Sequence, residues 1–342
     1  MPVTRHDLSL DELAALPALA GAPRYRSRQV WDGLYAQLAE IADLTSLPKA
    51  LRDDLARTPE LAAALTESTR QEADGGTTVK WLFGLADGAA IETVLMHYPG
   101  RSTVCVSSQA GCAMACGFCA TGQAGFRRHL TAGEIVEQVV RAAREARATQ
   151  RRLSNVVFMG MGEPLANFDA TWAAVQRLHD DLGLSARHIT ISTVGIVPGI
   201  HKLARESLPV GLAVSLHAAN DKLRNELVPV NKRYPLASLI AACRAYTGNR
   251  NRRLSFEWAC IAGVNDRPSD ADELAEIAVL LGAHVNLIPL NPTPGYLVLG
   301  STRAAVHTFA DALRERGVNA TVRHTRGQSI DAACGQLANR GP

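Results

Sequence analysis

From about residue 104 onward, short β-branched apolar runs alternate with amphipathic stretches of helical period, the pattern of repeated strand–helix units and a parallel sheet. Strands are expected at 103–107, 155–159, 188–193, 211–216, 254–261 and 285–289, and helices at 131–148, 170–182, 236–246, 270–281 and 302–316, with a weaker one at 200–205. Thr131 with Glu134 three residues later reads as a capping box, and Gly317 closes the last helix. Six such units fit an α/β fold of the partial (β/α)6, TIM-like open-barrel kind better than a flat doubly wound sheet, but period alone does not separate the two. The first 70 residues instead carry three short helical segments, around 11–16, 28–38 and 48–56. Two strand-like runs, 79–85 and 91–97, follow. The expected organisation is a small N-terminal helical domain (1–70), a β extension (71–100) and a barrel with a C-terminal loop (101–342).

Composition narrows the class. A chain of 342 residues, 47% hydrophobic, can bury a sizeable core. No apolar run approaches the roughly 18 residues that cross a bilayer, and the first ten residues lack a basic-then-apolar secretory pattern, so a cytoplasmic protein without a membrane span is expected. A monomer is the default, since nothing sets an oligomeric state. The net charge of +3 neither favours nor excludes nucleic acid, which must be sought in local patches. Seven cysteines, three of them within eight residues, suit metal binding and catalysis better than a disulfide framework.

Cys112, Cys116 and Cys119 stand at C-x3-C-x2-C spacing directly after the first barrel strand. Three thiolates can bind three irons of a cubane and leave the fourth open, whereas electron-transfer clusters normally use four cysteines. Zinc would want a second cysteine pair or histidines, and His129, the nearest candidate, sits in a basic segment. The stretch Gly111-Cys112-Ala113-Met114-Ala115-Cys116-Gly117-Phe118-Cys119 also resembles the radical S-adenosylmethionine (SAM) superfamily, including the aromatic residue before the third cysteine. That resemblance implies a 4Fe-4S cluster whose open iron binds the amino and carboxylate groups of SAM, and reductive cleavage to a 5′-deoxyadenosyl radical. Met159-Gly160-Met161-Gly162-Glu163-Pro164-Leu165 follows the second strand, where glycines would permit close approach to a ligand and Glu163 could receive an ammonium or a ribose hydroxyl. Gly162, Glu163, Ser192, Ser215, Leu216, His217 and Asn291 fall at strand ends around one mouth, where barrel enzymes place ligands. Singly, each reads equally as structural.

Of the remaining cysteines, Cys243 and Cys260 read as small buried hydrophobes. Cys105 lies on the first barrel strand, and Cys334 lies in a glycine-flanked segment able to fold over the mouth. With Tyr25-Arg26-Ser27-Arg28-Gln29-Val30-Trp31, Ile91-Glu92-Thr93, Cys105-Val106-Ser107-Ser108-Gln109, Ser215-Leu216-His217, Asn291-Pro292 and Ala332-Ala333-Cys334-Gly335-Gln336-Leu337, the chain resembles the RlmN/Cfr family of radical SAM RNA methyltransferases over nearly its whole length. The resemblance implies two SAM molecules per turnover. One methylates Cys334, and the other supplies the radical that activates that methyl group for addition to adenine C2. It further implies Glu92 as proton acceptor and Cys105 as the thiol that resolves the protein–RNA adduct through a transient disulfide with Cys334. Implied partners are 23S rRNA, tRNA and a flavodoxin-type electron donor. Rival readings are C8 methylation, as in Cfr, and a non-catalytic RNA-binding barrel.

Glu92 lies in an apolar run, and burial there would raise its pKa toward a useful range, the alternative being a solvent-facing position. Arg141, Arg144, Arg147, Arg151 and Arg152 form a basic stripe at helical spacing, either a solvated face or an RNA contact. Arg127, Arg128 and His129, together with Arg323, His324 and Arg326, are expected to face RNA at the active mouth, and Arg24, Arg26 and Arg28 to grip it from the N-terminal domain. Trp31 reads as core. Ser329 stands where the family typically carries an acidic residue, and the eight residues after Cys334 leave little to hold its loop from the far side.

Overall fold

A computed structural model describes residues 2–248, 252–293 and 295–338. Three short helices, α1 (Leu10–Ala14), α2 (Tyr25–Asp32) and α3 (Lys49–Arg57), precede an antiparallel run of β1 (Thr66–Ala73), β2 (Thr78–Gly84), β3 (Ala90–Tyr98) and β4 (Arg101–Cys105). The loop after β4 holds a two-stranded ribbon, β5 (Gln109–Gly111) and β6 (Phe126–His129), around the turn of α4 (Ala120–Gln123). Strand–helix units then follow: α5 (Ala132–Ala148), β7 (Leu153–Phe158), α6 (Phe168–Asp180), β8 (Ile189–Thr193), α7 (Val197–Arg205) and β9 (Gly211–Ser215). After α8 (Asp221–Leu227) and α9 (Leu236–Thr247) come β10 (Arg253–Cys260), α10 (Pro268–Leu281), β11 (His284–Pro289), α11 (Arg303–Glu315) and β12 (Ala320–Val322).

One ten-stranded sheet runs β1-β2-β3-β4-β7-β8-β9-β10-β11-β12 without closing, and every pair from β4 to β12 is parallel. The six expected strands are all present, shifted by a residue or two, and β12 makes a seventh parallel strand. Three residues are too few to show a period. β1 was also illegible: Thr66–Ala73 is polar almost throughout because it is an outer strand, and it straddles the division at residue 70. The capping box at Thr131 and Glu134 is present, and Gly317 takes φ 82° just past α11. Among the described residues no helix is long and apolar enough to cross a membrane.

On α5 itself, the three arginines of the stripe serve a purpose that neither reading of it named. Arg141 bonds Glu137 (2.9 Å) and the Leu65 carbonyl, Arg144 bonds Glu40 (2.6 Å) and the Leu38 carbonyl, and Arg147 bonds the Gln37 and Ala36 carbonyls. Arg144 and Arg147 satisfy the carbonyl end of the π-helical turn Gly33–Gln37, and all three guanidinium groups clamp the N-terminal segment onto α5. Arg5, bonded to Glu40 and Glu137, completes the network. Trp31 is core, as expected, and donates its indole N–H to Asp181 (3.0 Å).

Candidate active site

The cluster loop is fixed by its own backbone. Cys112 donates to the Gly125 carbonyl (2.8 Å), Cys119 to the Cys116 carbonyl (3.1 Å), and Gln123 Nε2 to the Gly117 carbonyl (2.6 Å). Gly111 permits the first of these contacts: at φ 77°, a Cβ there would stand 2.0 Å from the Gly125 oxygen. The three thiols line one cavity with Gly162, Glu163, Ser192, Ser215, His217 and Asn291. Leu216 is the exception among the expected ligand-site residues; its side chain is in the core. The glycines after β7 also admit protein, since a Cβ on Gly162 would meet Gln109 at 2.5 Å.

Thiols spread around one cavity suit a cubane, which presents separate irons to separate ligands. Burial pushes Cys112 up to about 12 and Cys116 higher still, so both keep their protons until a metal replaces them. Behind Cys116 lies Arg224, fully buried and bonded to the Leu216 carbonyl (3.1 Å), the Val194 carbonyl (2.6 Å) and Asn231 Oδ1 (2.7 Å), without a carboxylate among its described ion pairs. Burial pulls its pKa down to about 10, and an anionic cluster would compensate the charge.

Glu163 accepts from the N–H groups of Leu165 (3.1 Å) and Val194 (2.9 Å), and burial raises its carboxyl to about 7. Asn291 donates to the Cys334 carbonyl (3.1 Å), and its buried Oδ1 has no hydrogen-bond donor among the described residues. His217, at φ 58°, accepts from the Ala259 N–H (3.0 Å) and meets Phe118 edge-on at 4.8 Å; burial holds it neutral, near 3. Glu257, not singled out from sequence, also lines this cavity, with Oε2 lacking a hydrogen-bond donor among the described residues. A carboxylate between Phe256 and Trp258 was the available signal, the same one that marked Glu92.

A second cavity adjoins the first. Cys334, Met159, Ile288 and Asn291 line both, and Cys105 lines the second with Arg323. Both cysteines are free thiols, so the expected disulfide is not present. Burial pushes Cys105 up to about 12; Cys334, exposed to the cavity but crowded by protein, is also raised, and Arg323 pulls both back. Arg323 therefore faces the thiols and Glu257 (3.7 Å) rather than an external phosphate.

Glu92 is buried, which removes the solvent-facing reading, yet it is on neither cavity wall. It pairs with Lys80 (2.9 Å) and accepts from the Ala338 N–H (2.7 Å). The far side of the Cys334 loop is thus well held, contrary to expectation. Thr121 Oγ1 donates to the Leu337 carbonyl (2.5 Å), Ala120 to the Gly335 carbonyl (2.8 Å), and Gln336 Nε2 to the Pro292 carbonyl (3.2 Å). On the near side Gly327 donates to Asp74 (2.9 Å), and Ser329 is exposed. Arg128 is spent on Asp87 (2.6 Å) and Glu134 (2.8 Å), Arg28 on Asp32 (3.1 Å), and Arg26 on Gln29 (2.7 Å), which weakens each as an RNA contact. Pro294, beside Asn291-Pro292-Thr293, lies outside the described residues.

An open parallel barrel with three such cysteines after its first parallel strand defines a radical SAM enzyme, and the sequence profile of the radical SAM superfamily matches residues 106–279. A radical SAM methyltransferase from Sphaerobacter thermophilus has the same structure, with TM-score 0.95 and 52% identity over 99% of this chain and 100% of that one. Relatives named as probable dual-specificity RNA methyltransferase RlmN include one from a Parafrankia strain, 53% identical over 98% of this chain and 91% of its own. Another, from Chloroflexus aurantiacus, is 51% identical over 98% and 92%. The chain belongs to the RlmN family of radical SAM methyltransferases. It is a SAM-dependent methyltransferase, and the non-catalytic barrel falls away.

Proposed function

We propose that the protein methylates C2 of adenosine in 23S rRNA and in the tRNA anticodon loop, using two SAM molecules per turnover, with Cys334 as methyl carrier. The observation that carries this reading is the position of Cys334 in the shared wall of two cavities, one lined by the three cluster cysteines and the other by Cys105. A 4Fe-4S cluster on Cys112, Cys116 and Cys119 with bound SAM would supply a 5′-deoxyadenosyl radical; Glu163, Ser192, Ser215 and Asn291 offer polar groups to hold SAM. Cys334 takes a methyl group on Sγ, with Arg323 favouring its thiolate. After hydrogen is removed from that methyl, its carbon bonds to adenine C2. The C2 proton would pass to a base and one electron to the oxidised cluster; the Cys105 thiolate then attacks Cys334 Sγ, and the methylene carbon it displaces takes a proton to become the methyl group of the released RNA, leaving a disulfide.

We assign the C2 proton to Glu92 on the family resemblance, while its bond to Ala338 supports positioning of the Cys334 tail. Glu92→Gln separates the two: a proton acceptor's loss accumulates adduct with Cys334 still methylated, whereas loss of positioning alone suppresses both. The principal test is Cys105→Ala with reductant and SAM. RNA should remain covalently bound to Cys334, and free methylated RNA would overturn the scheme. Nucleoside mass spectrometry decides the carbon, with 8-methyladenosine as sole product contradicting C2. A flavodoxin-type donor, a cytoplasmic location and a monomeric state complete the proposal.

A further inference from the structure

The Cys105 cavity does not end at the thiols. It continues along the barrel interior to Tyr98, Arg101 and Arg326, and these three side chains also line a third cavity with Arg151, Arg152, His97 and His188. Arg101 opens β4, Arg151 and Arg152 immediately precede β7, and His188 precedes β8. The third cavity is therefore at the N-terminal ends of the parallel strands, opposite the cluster loop.

Neither the second nor the third cavity is lined by a carboxylate, and Arg101, Arg151, Arg152 and Arg326 form no ion pair among the described residues. Arg141 and Arg144, on the same stripe, are neutralised by Glu137 and Glu40. The Tyr98 ring carries two guanidinium groups, Arg101 at 4.8 Å and Arg326 at 4.3 Å. Four cations gathered without an anion attract one, and the planar fork of arginine suits phosphate.

We propose that the RNA strand enters at this N-terminal end, with its phosphodiesters on Arg101, Arg151, Arg152 and Arg326, and that the target adenine reaches Cys334 through the barrel interior. An unstacked base needs such a passage, whose wall must neutralise the backbone that follows it. An acidic electron donor would also favour the cations, but it must approach the cluster at the opposite end. The placement rests on the RNA reading proposed above.

The test compares Arg151→Gln/Arg152→Gln with Lys222→Gln/Arg303→Gln, a control of equal charge change on exposed residues lining neither cavity. Arg151 and Arg152 make no described side-chain hydrogen bond, so the fold should persist, as thermal unfolding will report. The readout is affinity for a fluorescent hairpin RNA with an adenosine loop, over a salt series. The first pair should weaken binding on the order of tenfold and lower the salt slope by about two, with the control unchanged. Unaltered affinity and slope would overturn the placement, as would normal RNA binding with slowed reduction by flavodoxin. SAM cleavage by the reduced wild-type protein without RNA reports separately on the enzyme reading. Wild-type protein that binds no RNA would overturn the RNA reading itself.

Discussion

Arg224 and His6 illustrate how far single residues depend on context. Four acceptors meet the Arg224 guanidinium in the core, so Arg224→Met leaves the Leu216, Val194 and Ser215 carbonyls and Asn231 Oδ1 short of donors. A loss of about 3 kcal/mol in urea unfolding is expected, with Arg224→Lys recovering only part. Nothing in its local sequence announces this, because the acceptors come from the last residue of β9, from loops after β8 and β9 and from Asn231. His6 is buried edge-on against Tyr35 (5.2 Å) with neither ring nitrogen bonded among the described residues, and burial followed by the Arg5 charge lowers its pKa. A depressed histidine stabilises the fold above its ordinary pKa of about 6.5, and that contribution fades as pH falls below it, by up to about 1.4 kcal/mol per unit. The unfolding midpoint should drop between pH 7 and 5, and His6→Leu should flatten the drop.

At the level of elements, the Cys334 loop is the informative case. It has no helix or strand of useful length, yet β2 and β3 hold it through Lys80 and Glu92, and Lys80 also reaches the Asp331 carbonyl (3.5 Å). Lys80→Met removes the cation paired with the buried Glu92 carboxylate, a loss of about 3–5 kcal/mol. Hydrogen exchange at Gly335 and Ala338 should accelerate, and protection equal to wild type would show that the tail is held without the pair. Glu92 was visible in sequence as a carboxylate in an apolar run, whereas its partner was not, since register alone sets Leu82 opposite Glu92 and places Lys80 two residues away. The capping box of α5 was legible because it is written within four consecutive residues.

For the molecule as a whole, one hydrophobic cluster runs from Leu8 and Trp31 through Phe83 and Val104 to Leu313 and Leu337. The arginines of α5 add polar clamps across the same junction. The N-terminal segment and the barrel should therefore unfold in a single calorimetric transition, and two resolved transitions would contradict a shared core. The three connected cavities are likewise a property of the whole, since their walls draw on strands from β3 to β12.

The sequence by itself determined the parallel strand–helix order, the cluster spacing and the identity of the two outlying cysteines. Those features are written as period, spacing and residue type, which do not depend on distant contacts. Only the tertiary structure decided which charges are neutralised. Five arginines of one basic stripe look alike in the chain, but Arg141, Arg144 and Arg147 meet carbonyls of the first 65 residues, with Glu137 and Glu40 pairing the first two, while Arg151 and Arg152 line a cavity that no carboxylate lines. Charge compensation depends on partners far away in sequence, and long-range packing alone brings them together.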